Sequence, residues 1–239
     1  MNTMAERTAP MCGVYDIFSE VNEETNILIG GATGSGKSVF EDGMIYNLAA
    51  EFTPDDVEIY LIDPKMVQLR KWAVLPHVRM YADTVDKAKI TLDYVKGVMM
   101  DRYQEMAYEG IEKYEGSAIY VFIDELADLI IEDKAIVKKL QKLLQLCRAA
   151  NIHIVCCSQS VSRVTVPAAL QINFSCRVGL RTASAIDSRQ IIRESGCENL
   201  PRYGRCIINS PDGITERPFP MYSADHIKAM RSWWSRKAR

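Results

Sequence analysis

Eight residues constrain this chain more than any others: Gly31-Ala32-Thr33-Gly34-Ser35-Gly36-Lys37-Ser38. They satisfy the pattern G-x-x-x-x-G-K-[ST] at every fixed position. Glycines in such a loop let the backbone take positive φ and turn successive N–H groups inward around an anion. A helical pattern begins at Lys37, so the positive end of its dipole faces the same point. The apolar run Asn26–Gly30 comes immediately before, as a strand feeding the loop should. This chemistry assigns Gly31, Ala32, Thr33, Gly34, Ser35, Gly36, Lys37, Ser38 and Val39 to phosphate binding. Lys37 also reaches the β- and γ-phosphates, and the Ser38 hydroxyl enters the shell of a Mg2+ ion. ATP and Mg2+ are the cofactors expected.

A phosphate cradle needs a carboxylate partner, and the run AIYVFI ends in Asp124-Glu125. An aspartate at the carboxyl end of a strand holds the cation, and the adjacent glutamate orients and deprotonates water. Ligands of open parallel sheets bind at that end of the strands, which places both acids on the correct side. The next apolar run ends in Ser158-Gln159, where Gln159 is a candidate for contact with the γ-phosphate or the attacking water.

The remaining pattern predicts an α/β fold with a mainly parallel central sheet flanked by helices. Apolar runs at Asn26–Gly30, Val57–Ile62, Ala118–Ile123, Ile152–Cys157 and Phe174–Leu180 read as strands covered on both faces. Helical patterns alternate with them: Lys37 to about Ala50, Val85 to about Tyr108, Lys134 to Ala150, and Ala185 to Arg193. In the third, apolar positions recur at three and four residues and leave Lys138, Lys139 and Lys142 on the opposite face. After Gly204, two extended segments (RCIIN and ERPFP) flank the turn Ser210-Pro211-Asp212-Gly213. A last amphipathic helix from about Ala224 ends in Trp233-Trp234 and the tail Ser235-Arg236-Lys237-Ala238-Arg239, with the tryptophans expected to cover a core edge. Residues 1–239 read as one domain, its motifs within about 26–205 and the extended pair and helix in about 205–239.

Composition excludes several classes. The 239 residues are 48% hydrophobic and 25% charged, as in ordinary globular proteins, and no apolar run reaches the length of a membrane span. The first residues lack the pattern of a secretory signal. Seven cysteines, an odd number without a CxxC pair, and three scattered histidines argue against bridges and metal clusters. The cysteines, Cys12 included, read as buried apolar groups in a reducing, cytoplasmic setting. The net charge of −2 provides no global attraction to nucleic acid, so any such contact must be local or multiplied by assembly.

Several motifs together resemble the FtsK/SpoIIIE-type DNA-translocase motors. They are GATGSGKS, LIDPK (Leu61–Lys65), LPH (Leu75–His77), Arg102-Tyr103 ending the long helical stretch, VFIDELADL (Val121–Leu129), CRAANIHIVCCSQ (Cys147–Gln159) and IDSRQII (Ile186–Ile192). The resemblance implies a RecA-like P-loop NTPase that forms a homo-hexameric ring and drives duplex DNA through its pore with ATP. It further implies that Arg148 reaches the ATP of the neighbouring subunit, which would make hydrolysis depend on assembly; the bare residue pattern is also met by a cation at a helix C-terminus. Departures occur at Ser160 and Val161, where many members carry arginine and proline, and at Ala185, where they often carry lysine. The chain reads as a bare motor core without membrane anchor, preceding accessory domain or winged-helix module.

Duplex contacts in such a ring are expected from loops near Lys134–Lys139 and Ser160–Thr165, with Lys138 and Arg163 as the candidate phosphate ligands. Service to a mobile element or conjugation system, with channel or element proteins as partners, fits the small size. The alternatives are a secretion ATPase moving polypeptide and an ATP-binding assembly module without transport. The presence of both Lys37 and Glu125 argues against the last, since binding alone does not need the water-activating acid.

Overall fold

The computed structural model describes residues 16–237; Cys12, Ala238 and Arg239 lie outside the described residues. Eight strands form one sheet in the order β3-β2-β4-β5-β1-β6-β7-β8. They are β1 (Asn26–Gly30), β2 (Val57–Ile62), β3 (Val78–Ala82), β4 (Ala118–Ile123), β5 (Ile152–Ser158), β6 (Cys176–Gly179), β7 (Arg205–Ser210) and β8 (Gly213–Pro218). The first six pair in parallel, and β7 and β8 add an antiparallel edge.

The apolar runs become strands because both sheet faces are covered; every residue of β1 and β5 is buried. One face carries α1 (Asp16–Asn22), α2 (Lys37–Glu51) and α8 (Ala224–Lys237). The other carries α3 (Val85–Glu109), α4 (Leu126–Glu132), α5 (Ala135–Leu146), α6 (Ala168–Gln171) and α7 (Ala185–Ile192). Local chemistry fixes several boundaries. The Thr84 hydroxyl accepts from the Lys87 amide at 3.2 Å to cap α3, and Gly110, at φ 71°, closes it in the left-handed conformation.

Four features differ from the sequence reading. Strand β3 was not expected: VRMYA lies on the sheet edge with only Ala82 fully buried, so it lacks a continuous apolar run. Helix α5 stops at Leu146 rather than Ala150, because the backbone turns through Cys147–Asn151 and Asn151 takes φ 53°. The long helix spans Val85–Glu109, as its pattern over Val85 to about Tyr108 implied, but Arg102-Tyr103 lies within it rather than at its end. Finally, β6 is trimmed to Cys176–Gly179, and α1, α4 and α6, of seven, seven and four residues, are too short for a helical repeat to stand out. The six described cysteines are buried and unpaired, as expected. No helix among the described residues is long and apolar enough to cross a membrane.

Candidate nucleotide site

The order of strands positions the site. The loop 31–36 leaves the end of β1, and β5 lies between β1 and β4, so the ends of three adjacent parallel strands present the loop, Ser158-Gln159 and Asp124-Glu125 side by side. Gly34 and Gly36 take φ 74° and 102°, which an L side chain would strain. At Gly31 a Cβ would lie 2.6 Å from Ser35 Oγ and 2.9 Å from Leu180, so the tight turn there requires glycine. The Ala32 amide donates to the Arg181 carbonyl at 2.9 Å and the Ser35 amide to Ala32 at 3.1 Å, tying the loop to the end of β6.

Residues from these elements line one cavity of about 380 Å³: Thr33, Lys37, Ser38, Asp124, Glu125 and Gln159. Lys37 Nζ donates to the carbonyls of Gly31 at 2.6 Å and Ala32 at 3.1 Å. Burial pushes its ammonium below the ordinary value, opposed by the Glu125 and Asp124 carboxylates. Asp124 is raised to about 6, first by burial and then by the charges of Asp63 and Glu125. Glu125 accepts from the Ser158 hydroxyl at 2.9 Å and from the Gln159 amide at 3.1 and 3.2 Å. A carboxylate offers about four lone-pair directions, so this bracing leaves room for a water. The Gln159 side-chain oxygen accepts from Thr33 Oγ1 at 2.7 Å, which leaves its NH2 available to a ligand.

The donor set fits a triphosphate with a hard cation. Every candidate cation ligand is oxygen, from Ser38 and Asp124, and the anion side offers backbone amides and one ammonium. Fully buried Glu41, one helical turn beyond Lys37, has no hydrogen-bond partner on either oxygen. Burial, with Asp124 and Asp42 nearby, holds its carboxyl well above the ordinary range.

The sequence profile of the FtsK/SpoIIIE family matches residues 10–118. A protein described as DNA translocase FtsK 1 from Neisseria meningitidis serogroup A is 30% identical over 82% of this chain and 28% of its own length. The DNA translocase FtsK of Caldanaerobacter subterraneus is 34% identical over 77% of this chain and 28% of its own. The chain belongs to the FtsK/SpoIIIE family. It spans less than a third of the curated relatives it matches, as with the FtsK of Mesorhizobium japonicum, where it covers 29% of that protein. Among solved structures, the pCW3 conjugation coupling protein TcpA superposes with a TM-score of 0.77 at 20% identity, covering 92% of this chain and 66% of that one. The type VII secretion ATPase EccC of Thermomonospora curvata gives 0.73 at 19% identity, covering 87% and 27%. The fold is therefore that of a P-loop ATPase.

The other family positions lie outside the cavity. Arg148 is exposed in the turn before β5, whereas Gln159 follows that strand. The seven residues of β5 span roughly 20 Å at about 3.3 Å each, so Arg148 stands at the far end of the sheet from its own phosphate loop. Its turn is held firmly. Tyr103 Oη donates to the Leu146 carbonyl at 2.8 Å, and Arg102 Nη1 to the carbonyls of Ala150 at 2.7 Å and Asn151 at 3.2 Å. Tyr114 lies over the Arg102 guanidinium at 4.3 Å, and its amide donates to Ala149 at 2.8 Å. The Arg102-Tyr103 pair thus anchors the turn that presents Arg148.

Lys138 is exposed on α5 and Arg163 in the loop after β5. Lys139 instead pairs with Asp93 at 2.5 Å, which withdraws it from the cationic face expected of α5. The Arg163 loop is closed by hydroxyls: Thr165 Oγ1 donates to the Ser160 carbonyl at 2.9 Å, and that carbonyl also lies 2.8 Å from Ser158 Oγ. One hydroxyl therefore touches both the Glu125 carboxylate and the base of that loop.

Sequence reasoning missed three contributors to the cavity wall. Gln68 donates to the Ser38 carbonyl at 2.9 Å, Lys65 pairs with Asp128, and Tyr203, 61% exposed, lies at the rim. The LIDPK motif was the available signal for the first two: buried Asp63 accepts the amides of Gln68 at 3.0 Å and Leu69 at 2.9 Å and shapes that loop. Tyr203 arrives from a connection far along the chain and carried no signal.

Proposed function

We propose that this chain is an ATP-hydrolysing motor that moves duplex DNA, acting as one unit in a ring of identical subunits, a homo-hexamer by family resemblance. The observation that carries the reading is the meeting of Lys37, Ser38, Asp124 and Glu125 around one cavity, in a chain whose relatives are DNA translocases. Amides of Thr33, Gly34, Gly36, Lys37 and Ser38 bind the phosphates, those of Ala32 and Ser35 being held by protein carbonyls, and Lys37 exchanges its carbonyl partners for phosphate oxygens. Ser38 and Asp124 hold Mg2+, which neutralises phosphate charge when bound. Glu125, braced by the Ser158 hydroxyl and the Gln159 backbone amide, takes the proton of the attacking water, while the Gln159 side-chain NH2 fixes the water or the γ-phosphate. Arg148 acts on the neighbouring subunit's nucleotide, a role its distance from its own site supports. Lys138 and Arg163 meet DNA phosphates. A channel or mobile-element protein is the further partner proposed, in a cytoplasmic setting.

The test is turnover of ATP with and without duplex DNA, comparing wild type with Glu125→Gln. Turnover should rise with DNA and fall by about two to four orders of magnitude in the variant, the usual worth of a general base. Turnover indifferent to DNA but raised by a polypeptide would move the assignment to protein export.

A further inference from the structure

Beside the nucleotide site, on the face of the sheet that carries α2, lies a larger groove of about 950 Å³ whose walls are α8 and the turn at 70–74. Helix α8 is two-faced. Ile227, Met230 and Trp234 are buried, and the Trp234 indole donates to the Ala49 carbonyl at 2.9 Å, so that stripe is fixed in the core. Lys228, Arg231, Ser232, Ser235 and Arg236 line the groove, spaced three and four residues apart as one helical face requires.

The charge of this groove is largely uncompensated. The one acidic residue among its described lining, Asp42, is already taken by Lys71 at 2.6 Å, Trp72 Nε1 at 2.7 Å and Gln68 at 3.1 Å. Lys228, Arg231 and Arg236 form no ion pair among the described residues, and Arg231 Nε is buried without a hydrogen-bond partner. A chain of net charge −2 thus concentrates three cations and the Ser232 hydroxyl along one concave face, the Ser235 hydroxyl being donated to the Arg231 carbonyl at 2.9 Å. Arg236 is also placed to complement the helix C-terminus, but Lys228 and Arg231 lie mid-helix, where no such role exists.

We infer that this groove binds the phosphodiester backbone of duplex DNA, a second contact separate from Lys138 and Arg163. The inference rests on the reading that the cargo is DNA. Arginine, lysine and serine are the side chains that grip phosphate oxygens without reading bases. From Lys228 to Ser235 the helix rises about 10 Å, long enough for Lys228 and Arg231 to meet neighbouring phosphates of one strand.

The experiment is the salt dependence of binding between the full chain and a fluorescent duplex, over about 50 to 200 mM salt. Each lost phosphate contact flattens the log–log slope by about one. Lys228→Gln/Arg231→Gln should therefore weaken binding and flatten the slope by about two, with an unchanged far-UV spectrum and melting curve. If that pair disturbs the fold, Lys228→Gln alone, at an exposed position, should flatten it by about one. Wild-type binding with no change of affinity or slope in either variant would overturn the groove and leave the motor reading standing. Failure of the wild type to bind duplex in any nucleotide state would overturn both. Displacement of the duplex by polyglutamate as readily as by an equal charge of competitor duplex would replace phosphate by an acidic protein segment.

Discussion

Asp124→Asn keeps the shape of the side chain and removes one charge from a crowded acidic corner. Burial, then the Asp63 and Glu125 carboxylates, raise the Asp124 carboxyl from 3.8 to about 6. A rise of about two units corresponds to about 3 kcal/mol. Because the folded value lies above the unfolded one, the protonated acid favours the fold. Its contribution is complete below 3.8 and is lost as the pH climbs through about 6. Near neutral pH, without nucleotide and with chelator present, the asparagine variant should therefore be more stable by about 3 kcal/mol. For a chain of this size that is roughly 6–12 °C in Tm. The gap should close on acidification, since below 3.8 both side chains are neutral and of one shape. The same variant should lose Mg2+-dependent turnover, a trade of stability against function. Thermal or denaturant unfolding across this pH range tests the reasoning. An asparagine variant no more stable than wild type, or a gap that persists into acid, would refute it.

Two further outcomes follow from the placement of single residues. Arg148→Ala should bind nucleotide normally and lose about three orders of magnitude in turnover. Mixing it with Lys37→Ala subunits should restore activity, because the lysine variant still supplies an arginine to its neighbour; absence of rescue would count against action in trans. Tyr203→Ala should weaken ATP about tenfold, the upper worth of one aromatic stack, while leaving inorganic triphosphate unaffected. An equal loss for both ligands would show that Tyr203 does not meet the base.

Local pattern made much of this fold legible. The loop at Gly31–Ser38 names its ligand because few side chains permit backbone to approach phosphate, and β1, β2, β4 and β5 were readable because strands buried on both faces need unbroken apolar runs. Edge strand β3 escaped for the converse reason: it has a solvated side and therefore no such run. The bracing of Glu125 by Ser158 and Gln159 was only half visible, since it depends on β5 lying between β1 and β4, which is a matter of strand order rather than sequence. Tyr203 and the groove along α8 were invisible for a related reason. Each consists of ordinary surface residues until the sheet brings in a partner wall from far along the chain. The tryptophan pair did behave as the pattern implied: Trp234 is buried, and Trp233 packs edge-on against it with ring centroids 4.6 Å apart.

The whole assignment depends on Lys37 and the surrounding amides gripping a triphosphate. Calorimetric titration of the wild type and of Lys37→Ala with Mg-ATP measures that grip without any assumption about cargo or assembly. The wild type should bind one nucleotide per chain, and the alanine variant should bind far more weakly while keeping its melting curve. Equal affinity in the two proteins, or no binding by the wild type, would contradict the account.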